Sequence, residues 1–97
     1  GSANALGVVG QDLDANLRRQ LGLGDGEGVG IARVDGDAAA EAGIRPGDVV
    51  LQVGRTKVGS VAALDRELRG VKAGQTVMLL VRSRAGGSRF VAVTPEQ

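Results

Sequence analysis

The chain contains no histidine, cysteine, tryptophan or tyrosine, and in 97 residues it has two prolines and one phenylalanine, Phe90. Each absence removes a class of chemistry. Without cysteine there is no disulfide, no zinc–thiolate site and no thiol nucleophile, and either an oxidising or a reducing compartment is admissible. Without histidine a serine nucleophile lacks its usual imidazole base, so a Ser-His-Asp triad cannot be assembled. A dyad of Ser60 with Lys57 or Lys72 is conceivable, but Ser60 precedes an apolar helical run as a cap and no catalytic motif surrounds it. No catalytic residue and no cofactor are expected.

Charge is also missing as a signal. Twelve basic and eleven acidic residues nearly cancel, and the longest like-charged run with a basic side chain is Arg18-Arg19. A nucleic-acid partner is therefore not expected, because such binders carry a basic stripe, often with stacking aromatics. No apolar stretch approaches the roughly 20 residues that cross a bilayer, so membrane insertion is not expected, and no signal peptide is visible. The glycines between Gly22 and Gly30 fit no G-x-G-x-x-G register and lead into a strand rather than a helix, which argues against phosphate binding. Asp35, Asp37 and Asp48 miss the calcium-loop spacing and suit caps and turns, so no metal site is expected.

Aliphatic side chains and glycine are what the chain has in quantity. Hydrophobic residues make up 42% of it, and with Phe90 as the lone aromatic the core must be Val, Leu, Ile and Ala. Seventeen glycines, dispersed between apolar runs, mark turns and special backbone positions. The length suits one domain, expected over residues 4–94, with Gly1-Ser2-Ala3 as a cloning remnant of an excised piece and 95–97 as a tail.

Residues 6–10 read as a short apolar strand. Asp12 or Asp14 then caps a helix carrying Leu13, Leu17 and Leu21, closed by Gly22. A strand follows over residues 28–34, then a short alanine helix capped by Asp37 and ended by Gly43, and after the "RPGD" turn a buried strand over residues 49–53. "GRTKV" is a tight connection into a second extended piece. Ser60 caps the longest helix, with Val61, Leu64, Leu68 and Val71 in a one-sided stripe, and "QTVMLLVRS" and "SRFVAV" pair through a glycine hairpin. The fold class is α+β, mainly β, with five to six strands.

Three segments carry a family resemblance. "ALGVVG" resembles the carboxylate-binding loop and peptide-pairing strand of a PDZ domain; "DGDAAAEAGIRPGDVVLQVGRTKV" resembles that family's most recognisable stretch; "SVAALDRELRGVKAGQTVMLLVRSRAGGSRFVAV" resembles its groove helix and closing strands. Within the family the pattern is similar to the bacterial HtrA (Deg) serine proteases, with their permuted strand order. The resemblance implies a partly open barrel or sandwich with two main helices and one short one. Tail-specific and intramembrane proteases remain other possible parents.

It also implies a mechanism. Backbone N–H groups around Leu6, Gly7 and Val8 would hold a partner's terminal carboxylate, and the partner would add as a strand along Val8, Val9 and Gly10. Val61, Leu64, Asp65 and Leu68 would line the groove from the helix. Implied partners are C-terminal or unfolded hydrophobic peptide segments, the parent protease domain and neighbouring subunits, in the periplasm or cell envelope. The alternative is a structural or oligomer-assembly module with a poorly functional or self-occupied groove, and if the chain is a second, C-terminal copy the family suggests oligomer assembly or substrate tethering. Gly59-Ser60-Val61 stands where many members have a histidine, so an apolar ligand residue is expected there, and only Ala3 and Asn4 precede the loop, without a cation. A Gly7→Val change is expected to impair binding more than folding.

Overall fold

Period-two alternation and glycine punctuation place six strands and three helices in residues 4–95, the part of the chain this computed structural model describes. The expected remnant at 1–3 and the last two residues of the expected tail lie outside the described residues. In chain order the elements are β1 (Val8–Asp12), α1 (Ala15–Gln20), β2 (Val29–Val34), α2 (Asp37–Glu41), β3 (Val49–Val53), β4 (Thr56–Lys57), α3 (Val61–Arg69), β5 (Val77–Arg82) and β6 (Ser88–Val93).

All six strands form one antiparallel sheet in the order β1-β2-β3-β5-β6, with β4 pairing β3. The sheet is open, and β1 and β6 are its edges. The β5–β6 register sets Val77, Leu79 and Val81 on the same face as Val91 and Val93, all buried, and turns Met78, Leu80, Phe90 and Ala92 outward. The core is thus wholly aliphatic, and Phe90 stays 65% exposed. Leu6, Val8, Val29, Ile31, Val50 and Val53 extend this face. Ala39 and Ile44, beside α2, and Leu64 and Leu68 of α3 close over it. Helix α3 rests on β1 and β3, and α2 rests on β2.

Three local expectations are corrected. The first strand starts at Val8 rather than at residue 6, because Asn4 to Gly7 make a turn in which the Gly7 N–H donates to the Asn4 carbonyl at 3.3 Å. Asp37 does not cap α2: Gly36 occupies the N-cap without a side-chain bond, and Asp37 stands in the first turn, where its charge suits the helix dipole. The helices are one of nine residues and two of five or six, rather than two main and one short.

Other expectations match their positions. Ser60 caps α3 through a 3.1 Å bond that its Oγ accepts from the Ala63 N–H, and β3 and β6 have the expected bounds. Pro95 is buried, and its carbonyl accepts from the Gly74 N–H at 2.9 Å, so ordered packing reaches one residue past 94.

Candidate functional site

An edge strand presents backbone donors and acceptors that no neighbouring strand takes. Among the described residues β1 pairs with β2 as its one strand neighbour, with a bulge between Val9 and Gly10. On its other side lies α3. The strand is held in place by the turn before it. The Gly7 carbonyl accepts from the Asp35 N–H at 2.7 Å and the Gly36 N–H at 3.1 Å, which clamps the turn to the end of β2. Gly7 has φ of +66°, and a Cβ there would stand 2.6 Å from the Gly36 nitrogen. Only glycine satisfies both conditions.

Antiparallel alternation then turns the N–H and C=O of Val8 away from β2, toward the open edge. They meet Asn4. Its Oδ1 accepts from the N–H of Leu6 and the N–H of Val8, each at 3.2 Å, while its Nδ2 donates to the Val8 carbonyl at 2.6 Å. The same Nδ2 donates to Oδ1 of Asp65 on α3 at 2.9 Å. The N–H groups of Leu6 and Val8 thus converge on one side-chain oxygen, while that of Gly7 is taken by the Asn4 carbonyl within the turn.

A second bond ties helix to strand further along. Asp12, at the end of β1, accepts from the Val61 N–H at 2.7 Å, so the first turn of α3 is satisfied by Ser60 from its own chain segment and by Asp12 from β1. The expected cap at Asp12 exists, but for α3; α1 takes Asp14, which accepts from Leu17 N–H at 2.7 Å. Between the two ties α3 comes close over the strand. A Cβ on Gly10 would lie 3.3 Å from Val61 and 3.4 Å from Leu64.

The expected site residues therefore divide. Leu6, Gly7, Val8, Val9 and Gly10 make the loop and edge, and Val61 and Asp65 stand half-buried on the facing helix. Leu64 and Leu68 are fully buried at 0% exposure in the common core and present no surface. Asn4 is a residue of this region to which the sequence assigns no role, and Asp12 is expected as a cap of the first helix rather than of α3. Asn4 brings no charge, but an amide carries both an acceptor and donors. Nearby on β2, Arg33 opposes Val9 and pairs with exposed Asp35 at 2.9 Å; that hydrogen bond, then the charge, raises the pKa of the guanidinium. No group of potential metal ligands occurs among the described residues, and none of their helices is long and apolar enough to cross a membrane.

A cavity of about 360 Å³ lies elsewhere, beneath α1, bordered by Leu13, Leu17, Ile31, Val49 and Arg82. It lacks the converging backbone donors of the loop. At the head of β1 the N–H groups of Leu6 and Val8 converge on one oxygen.

Comparison with known proteins bears on this arrangement. A family model described as "PDZ domain" matches residues 5–89. A protein from Chlamydia muridarum named "Probable periplasmic serine endoprotease DegP-like" is 36% identical over 94 residues, covering 95% of this chain and 18% of its own length. One of the same name from Halomonas elongata is 40% identical over 90 residues, covering 92% of this chain and 19% of its own. The chain thus spans under a fifth of these relatives. Among solved structures, a variant of the HtrA-type protease AlgW with a decapeptide superposes with a TM-score of 0.83 at 28% identity, over 94% of this chain and 28% of that one. AlgW with a tripeptide gives 0.78 at 27%, over 93% and 30%.

Proposed function

The chain belongs to the PDZ domain family, and from that premise we propose that it is the peptide-capturing module of a periplasmic HtrA-type serine endopeptidase. It has no catalytic role of its own; the parent chain supplies the protease. A partner's C-terminal carboxylate docks on the N–H groups of Leu6, Gly7 and Val8, and the preceding residues add as a strand along the edge of β1, with Val61 and Asp65 of α3 on the other wall.

The observation that carries this reading is the convergence of the Leu6 and Val8 N–H groups on one oxygen at the head of the edge strand β1. The likeness to AlgW, whose structures hold a decapeptide and a tripeptide, supports it. Each strand hydrogen bond contributes about 0.5–1.5 kcal/mol net. One buried apolar ligand side chain adds roughly 1.5–3 kcal/mol. After association costs, micromolar affinity follows, about −8 kcal/mol.

The test is a calorimetric titration with hydrophobic-ended pentapeptides as free acids and as C-terminal amides. Free acids are expected to bind at least about tenfold tighter, since the charged end makes the stronger bonds. Equal affinity would remove carboxylate capture. Absence of binding by both, with a change of oligomeric state when the domain is deleted from its parent, would leave an assembly module instead.

A further inference from the structure

Resting on that peptide-capture function, we infer that Asn4 is an internal stand-in for the ligand's end and sets the affinity of the groove. Its side-chain amide already makes the bonds an incoming peptide would make. Oδ1 takes the N–H groups of Leu6 and Val8, as a carboxylate oxygen would, and the Asn4 backbone carbonyl takes that of Gly7. Nδ2 serves the Val8 carbonyl, as a backbone N–H of an added strand would. A local asparagine turn accounts only for the bond to Leu6, two residues on. It does not account for engagement of both outward groups of Val8, nor for the bond to Asp65, which is 61 residues away in sequence. That last bond fastens the amide to α3, the opposite wall of the groove.

Two consequences follow from mass action. A peptide binds only the fraction of molecules in which Asn4 has swung out, so the apparent dissociation constant is the intrinsic one divided by that fraction. The factor is the same for every ligand: Asn4 imposes a threshold and does not itself choose between a free acid and an amide. Ligands then pass or fail by their own strength. A carboxylate replaces the neutral amide oxygen with charge-assisted bonds, roughly twice as strong, while an amidated end exchanges like for like.

Asn4→Ala and Asp65→Ala variants of this chain, titrated with a Val-ended free-acid pentapeptide and its amide, test the idea. Asn4→Ala is expected to tighten both by a similar factor, about threefold to tenfold, and Asp65→Ala, which loosens only one anchor, by less. A readout independent of peptide accompanies this: without ligand, the Leu6 and Val8 amides should exchange with solvent faster in Asn4→Ala, while core amides of β5 keep their protection. Unchanged or weakened binding by Asn4→Ala, with wild-type β5 protection, would overturn the inference and leave Asn4 a mere support of the loop, with peptide capture intact. Unchanged exchange at Leu6 and Val8 would overturn it as well. Failure of wild type and variants alike to bind would instead overturn peptide capture itself.

Discussion

Gly7 and Gly36 touch backbone to backbone across 29 positions of sequence: a Cβ on Gly36 would sit 2.1 Å from the Leu6 carbonyl oxygen, and one on Gly7 2.6 Å from the Gly36 nitrogen. The Gly7→Val variant therefore cannot separate binding from folding, contrary to the expectation from sequence. Gly7→Ala already combines a left-handed backbone with a clash against main chain, and it is predicted to cost roughly 1–3 kcal/mol in urea unfolding. A loss below about 0.5 kcal/mol would show that the turn relaxes freely. That Gly7 is special was legible, since glycine between two apolar residues before a strand invites an unusual φ. Its partner was not. Gly36 is fixed only when β1 and β2 pair, a contact that local pattern does not encode. The same holds for Asn4, whose chemistry was visible but whose reach to Asp65 depends on α3 folding over β1.

At the scale of elements, α3 shows how far a pattern carries. Val61, Leu64 and Leu68 did mark a one-sided helix and Ser60 its start, while Val71 lies past the Gly70 cap. The pattern could not divide the stripe, because a groove wall and a core face are equally apolar. Burial divides it: Leu64 is sealed, whereas Val61 stays half-exposed beside Gly10. Leu64→Ala is predicted to lower stability by about 2–5 kcal/mol through cavity formation, abolishing fold and binding together. Ser60→Ala should cost about 1 kcal/mol and fray the first turn while binding persists, a difference seen by comparing thermal melts with titrations. Helix α1 is the opposite case. Leu13, Leu17 and Leu21 share a spacing of four, yet buried Leu13 precedes the Asp14 cap, outside the helix expected to carry it, and Leu17 within the helix is 40% exposed. The helix sits at the rim, held by Arg18, which donates to the carbonyls of Glu27 and Gly59, and such polar anchoring leaves no trace in hydrophobic periodicity.

Across the whole molecule, strand identity was largely readable and sheet order was not. Alternation in "VMLLVR" and "SRFVAV" gave β5 and β6, and the glycines between them gave their hairpin. Pairing of β3 with β5, which skips β4 and α3, is set by tertiary packing and has no signal in the local pattern. The position of Phe90 also follows from register: opposite Leu80 and out of phase with Val91, it must face outward. Phe90→Ser is thus predicted to leave the stability within about 0.5 kcal/mol of wild type, and Val91→Ala, on the inner face, to lower it by more than about 1 kcal/mol. Equal losses in denaturant titration would contradict the aliphatic core.

Capture at the edge of β1 is tested most directly by amide chemical-shift mapping of the chain titrated with a hydrophobic-ended free-acid peptide. Saturating shifts at Leu6, Gly7 and Val8, continuing through Val9 and Gly10 and reaching Val61 and Asp65, together with displacement of the Asn4 side-chain amide signals, are the predicted result. Shifts confined to the cavity beneath α1, at Leu17 and Arg82, with the loop amides unmoved, would contradict it.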